Sequence, residues 1–130
     1  MKRSVLLFSA LIALLGFNRL LAETPTISAA DAAAKVAAGE AVLVDVREPG
    51  EWQQGVAAPA VLLPLSDLRG ERKEWKAFLE KVGDKPILLY CRSGNRSGQA
   101  AAILAQEGKT VANAGAFKDW EAAGLPTRKP

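Results

Sequence analysis

Histidine is absent from this chain of 130 residues, and cysteine occurs once. Without imidazole, neither a Ser-His-Asp nor a Cys-His couple can be assembled. A zinc site is also left with too few soft ligands. A lone cysteine cannot close an internal disulfide, so the fold must rest on its core alone. Long apolar runs are scarce too: Val5 to Phe17 extends thirteen residues, short of the ~18–20 that a membrane-spanning helix needs. Internal repeats and low-complexity tracts are missing. What remains is 49% apolar residues in a length suited to one domain.

The apolar run follows Met1-Lys2-Arg3 and leads, through a short polar segment, to Leu20-Leu21-Ala22. That is the order of a secretory signal peptide cleaved after Ala22. The expectation is a leader over residues 1–22 and one exported domain over 23–130; the alternative is a leader kept as an anchor. No cysteine lies near the cut, which excludes a lipid-anchored form. Lys2, Arg3 and Arg19 leave with the leader, so the 17 Lys and Arg fall to 14, equal to the 14 Asp and Glu. A mature domain of zero net charge has no general affinity for nucleic acid, and none for a membrane surface. Electropositive surface must be local.

Ser28 is placed to cap a helix running to about Ala38, with Gly39 as its stop. Ala41 to Val46 reads as a buried strand. Pro49-Gly50 marks a turn, and Glu51 to Gln54 one turn of helix. Ala60 to Leu63 is a second strand, ended by Pro64, and Ser66-Asp67 can open a brief helical turn. Glu71 to Lys81 spaces Trp75, Phe78, Leu79 and Val82 as an amphipathic helix does. Residues 86–90 form a third strand, 97–106 a helix closed by Gly108, and Thr110 to Asn113 a fourth strand. Lys118 to Ala123 is a last short helix, stopped by Gly124 and Pro126. Apolar strands alternating with helices indicate an α/β fold with a parallel sheet covered on both faces. Ligands of such sheets bind at the carboxyl ends of the strands.

At one such end stands Cys91-Arg92-Ser93-Gly94-Asn95-Arg96-Ser97, between the apolar run Pro86 to Tyr90 and the alanine-rich stretch Ser97 to Gln106. A thiol there faces backbone N–H groups and the positive end of a helix, both of which stabilise an anion. Arg92 and Arg96 add two charges. Cysteines so placed fall from about 8.5 to roughly 3.5–7.5, so Cys91 is expected to be largely thiolate near neutral pH. Gly94 lets amides turn inward, and Asn95 tolerates unusual backbone angles. Ser97 is positioned to cap the helix and to offer its hydroxyl to the sulfur. Such a ring of donors suits a persulfide, whose outer sulfur is anionic. The bland alternative is a small buried residue at a strand end. Two arginines and a glycine within five positions argue against it.

On these residues the chain resembles the single-domain rhodaneses, most closely the small exported thiosulfate sulfurtransferases of bacteria. The similarity runs from Thr24 to Pro130. Besides the cysteine loop it is carried by Val44-Asp45-Val46-Arg47-Glu48 with Glu51-Trp52 and Gly55. It continues in Gly115-Ala116-Phe117-Lys118-Asp119-Trp120 and Ala123-Gly124-Leu125-Pro126. The resemblance implies a three-layer rhodanese-like fold, a small and mostly parallel sheet of about five strands with helices on both faces. It implies a double displacement without cofactor or metal. Cys91 takes a sulfane sulfur from a donor such as thiosulfate, and the persulfide passes it to cyanide or a thiol. The backbone of residues 92–97 would cradle the outer sulfur, and Arg92 and Arg96 would attract the donor. A periplasmic monomer is implied as well. The chain departs from the pattern at Gly55-Val56-Ala57, where Gly-His-Ile is usual, at Pro59-Ala60, where a Gly-Ala pair is, and at Gly115-Ala116, where a glycine pair is.

Asp45 and Arg47 close a strand near the loop; they either orient it or, the weightier reading, pair to fix the fold. Trp52, Trp75 and Trp120 read as core residues. Two rival functions stand beside sulfur transfer. Cysteine phosphatases share the strand–loop–helix thiolate, but place five residues between cysteine and arginine where this chain has four. No general acid is apparent either. The other rival is a module that docks a protein partner, either inert or carrying the persulfide to it.

Overall fold

A computed structural model describes residues 24–130. The leader assigned to residues 1–22 therefore lies outside the described residues. In chain order the elements are α1 (Ala29–Ala37), β1 (Val42–Asp45), α2 (Pro49–Trp52), β2 (Val56–Ala57), β3 (Val61–Leu62) and α3 (Leu65–Arg69). There follow α4 (Lys73–Val82), β4 (Ile87–Cys91), α5 (Asn95–Gln106), β5 (Val111–Ala116), α6 (Phe117–Ala122) and β6 (Thr127–Arg128). Ser28 caps α1 as expected, its Oγ accepting the Asp31 N–H at 3.1 Å.

The main sheet has the order β3-β1-β4-β5 and every pair in it is parallel. It has four strands rather than about five, and an isolated parallel bridge from Thr26 to Asn113 stands beyond β5 where a fifth would run. The central strand β4 shows why its sequence is apolar throughout. Ile87, Leu89 and Cys91 face a core with Trp75, Leu68, Ala100 and Leu104, under α3, α4 and α5. Leu88 and Tyr90 face the opposite core with Ala32, Leu43, Phe117 and Trp120, under α1 and α6. Successive side chains of a strand point to opposite faces, so a strand covered on both sides has no polar position. No residue of β4 is more than 3% exposed, and each large aliphatic side chain so buried contributes about 1.5–3 kcal/mol. Trp75 and Trp120 are core residues whose indoles donate to Pro64 O and Pro126 O. Trp52 is only half-buried.

Two local features were not expected, and two expectations are corrected. Val56–Ala57 pairs antiparallel with Thr127–Arg128, a ribbon of two residues per strand that carries no periodicity to read. Asp67 does more than open a helical turn: its carboxylate accepts the N–H groups of Lys73, Glu74 and Trp75 and so caps α4. The strand β5 continues past Asn113 to Ala116, with a register shift that leaves Leu89 opposite Asn113 and Tyr90 opposite Gly115. Finally, α5 begins at Asn95 with Gly94 as its N-cap, so Ser97 lies inside the first turn and does not cap it.

Candidate active site

Cys91 is the last residue of β4, and its side chain is fully buried at the carboxyl end of the sheet. The Gly94 N–H donates to its sulfur at 3.0 Å, and Ser97 Oγ lies 3.4 Å away. Burial pushes the thiol up, because a charged sulfur out of water is costly. Against this stand the Ser97 hydroxyl and the amides of Ser97, Ser93 and Gly94, and together they bring the thiol below its ordinary value. The loop can close so tightly because Gly94 has φ 92°, a left-handed conformation that side chains disfavour.

Of the expected loop residues, Gly94 turns its amide toward the sulfur, and Ser97 is buried beside it. Arg92, Ser93 and Asn95 are exposed. Arg92 forms no ion pair among the described residues, whereas Arg96 is held. Its Nη1 and Nη2 donate to Glu51 Oε1 and Oε2 at 2.6 and 2.8 Å. The Arg96 guanidinium lowers the Glu51 carboxyl from 4.5 to about 2, with the Glu48 N–H as a second donor. One of the two expected anion-attracting charges is thus compensated at close range.

Asp45 and Arg47 are brought together as a buried ion pair. Arg47 Nε donates to both carboxylate oxygens, at 3.1 and 3.0 Å, and Nη2 to Oδ2 at 2.8 Å. Arg47 Nη2 also donates to Gly55 O at 2.7 Å, and the guanidinium lies 4.5 Å from the Phe117 ring centroid. The pair therefore ties β1 to the turn before β2 and to α6. Its hydrogen bonds offset the cost of taking both charges out of water. Burial, with the Asp45 charge next, pushes the Tyr90 phenol up, and its oxygen accepts the Ala57 N–H at 2.9 Å.

Above the loop opens a cavity of about 660 Å³ whose walls include Arg92, Ser93, Arg47, Glu51, Phe117 and Lys118. Two further residues shape the site. Glu51 belongs to the α2 segment and carries no local sign that it would meet Arg96. Asn113 lies on β5 with its side chain against the loop, contacting both Gly94 and Ser97. A carboxamide in the middle of a small, apolar strand was the available signal for it. Among the described residues, no group of His, Cys, Asp and Glu could hold a metal ion.

Comparison with known proteins places this geometry. The family model for the rhodanese-like domain matches residues 28–123. The chain belongs to that family. The rhodanese-like domain seen here is 36% identical, over 93 residues, to an Allochromatium vinosum protein named sulfurtransferase, covering 70% of this chain and 81% of that one. It is 37% identical to the thiosulfate sulfurtransferase PspE of Escherichia coli over 79 residues, 58% of this chain and 70% of PspE. An uncharacterized Bacillus subtilis protein, YqhL, is 41% identical over 83 residues, which are 62% of this chain and 61% of that relative. Among solved structures, a rhodanese-related protein of Thermoplasma volcanium superposes with a TM-score of 0.68 at 33% identity, covering 82% of this chain and 99% of that one.

Proposed function

We propose that this rhodanese-like domain is a sulfurtransferase that moves a sulfane sulfur through a persulfide on Cys91. The observation that carries the reading is the pair of contacts on one buried sulfur: the Gly94 amide at 3.0 Å and the Ser97 hydroxyl at 3.4 Å. A backbone amide already aimed at the sulfur needs no reorganisation when that sulfur ionises. The relatives named sulfurtransferase support the same class.

In the first displacement the Cys91 thiolate attacks the outer sulfur of thiosulfate. The Cys–S bond forms, the S–S bond of thiosulfate breaks, and sulfite departs with its electron pair. In the second, cyanide or an external thiolate attacks the outer sulfur and Cys91 leaves as thiolate. No second cysteine exists in the chain to discharge the persulfide internally, so the acceptor must come from outside. Arg92, exposed at the rim without an ion pair among the described residues, supplies the attraction for the donor anion. The fully buried sulfur favours a small, reactive atom over a bulky ester. The proposed setting is the periplasm, with the protein a monomer.

The test is the intact mass of the protein after incubation with thiosulfate, beside Cys91→Ser. A gain of one sulfur on the wild type alone, then thiocyanate on adding cyanide, is the expected result. Fast loading with slow turnover on cyanide would indicate a carrier for a protein acceptor. No gain in mass would remove sulfur transfer from consideration.

A further inference from the structure

Asn113 sits on β5, outside the cysteine loop, yet its side chain makes three hydrogen bonds around it. Nδ2 donates to the Gly94 carbonyl at 2.9 Å, while Oδ1 accepts the Gly115 N–H at 3.0 Å and lies 2.8 Å from Ser97 Oγ. These partners fix which way the amide points. A carbonyl can only accept and an N–H can only donate, so the oxygen must face Gly115 and Ser97. The register shift in β5 puts the Gly115 amide within reach of the Asn113 side chain. The Asn113 backbone is pinned as well, its N–H donating to Pro25 O at 2.9 Å and its carbonyl accepting the Ile27 N–H at 3.0 Å.

Ser97 has one hydroxyl proton and two acceptors in reach, Asn113 Oδ1 at 2.8 Å and Cys91 Sγ at 3.4 Å. The shorter contact holds the proton while the sulfur is a thiol, and the thiol hydrogen can then point at Ser97 Oγ. A charged sulfur or persulfide draws the proton to itself. Asn113 Oδ1 keeps the Gly115 N–H in either arrangement, so the exchange leaves no buried acceptor empty. We infer that Asn113 is a positioning residue that competes with the Cys91 sulfur for the Ser97 proton and thereby sets how much Ser97 stabilises the anionic sulfur. The inference deepens the proposed function, and rests on it in taking Cys91 to be a nucleophile.

Other charges stand around the loop: Arg92 at the rim, Arg96 with its Glu51 partner, and Arg47, Lys118, Asp119 and Glu121 in the cavity wall. All are unchanged in the variants needed, so their effects cancel in a difference taken within one background. The experiment is the pH dependence of iodoacetamide alkylation of Cys91 in the full chain. Ser97→Ala is compared in three backgrounds: wild type, Asn113→Ala and Asn113→Asp. In the Asn113→Ala background Ser97 serves the sulfur alone, and its removal should cut the thiolate fraction below the midpoint roughly tenfold. In the wild type the loss should be about threefold, because the proton is shared. A carboxylate at 113 gives up the bond from Nδ2 to the Gly94 carbonyl in both members of its pair, and it holds the Ser97 proton harder, so the loss should fall within about twofold. Equal losses in all three backgrounds would overturn the inference, as would the reverse order. Should the alanine variant fail to fold by circular dichroism, the wild-type and aspartate pairs still decide it. Alkylation needs no sulfur donor, so a protein that gains no mass from thiosulfate can still pass or fail this test.

Discussion

Replacing Glu51 by glutamine isolates one charge at the mouth of the site. The amide oxygen of the substituted side chain can still accept the Glu48 N–H, which Glu51 accepts at 3.1 Å, so the local turn is preserved and the ion pair with Arg96 is lost. Lowering the carboxyl from 4.5 to about 2 corresponds at full strength to about 3 kcal/mol. Both side chains are about 30% exposed, at 30% and 31%. Water screens such a pair, and about 1 kcal/mol is the stability expected to remain. The direction in pH follows from the depressed acid. Its contribution is whole above 4.5 and is lost as pH falls toward about 2. Thermal melts of the two proteins should therefore differ by a few degrees near pH 7 and converge near pH 2. Function should change in the other sense, since an uncompensated Arg96 adds a positive charge beside the sulfur. The KM for thiosulfate should fall by roughly two- to fivefold at low ionic strength, and the gain should shrink in salt. Initial rates of thiocyanate formation measure it. A higher KM with an unchanged acid profile would refute the argument that Glu51 competes with the donor for Arg96.

Arg92→Ala removes an exposed charge that makes no ion pair among the described residues. It should raise the KM for thiosulfate several-fold in steady-state assays while thermal melts stay within about 0.5 kcal/mol of wild type. Asp45→Ala leaves the Arg47 charge buried without its partner, 5% exposed. Urea unfolding should show a loss of about 3–5 kcal/mol; a loss below about 1 kcal/mol would move the pair out of the fold's framework.

Local sequence sufficed where a segment's own pattern decides its conformation. The apolar run before Cys91, too short for a helix and bounded by Pro86 and the loop, reads as a strand covered on both faces, and the alanine-rich stretch after it packs closely as a helix. Ser28 and the spacing of Trp75, Phe78 and Leu79 worked the same way. Boundaries were less legible: α5 starts two residues early because Gly94, at φ 92°, is able to be the cap itself. The ribbon of β2 and β6 was invisible because two residues have no period, and its strands are far apart in sequence.

The site divides along the same line. Cys91, Gly94 and Ser97 lie within one short stretch from the end of β4 to the first turn of α5, so their meeting is a matter of backbone geometry over a few residues, and the sequence by itself determined it. Whether Arg96 would face solvent or a carboxylate depended on where Glu51 arrives, forty-five residues earlier in the chain. Where the Ser97 proton goes depended on Asn113, sixteen residues later and one strand over. Hydrogen bonds act over about 3 Å, and only the parallel stacking of β1, β4 and β5 brings such distant residues that close.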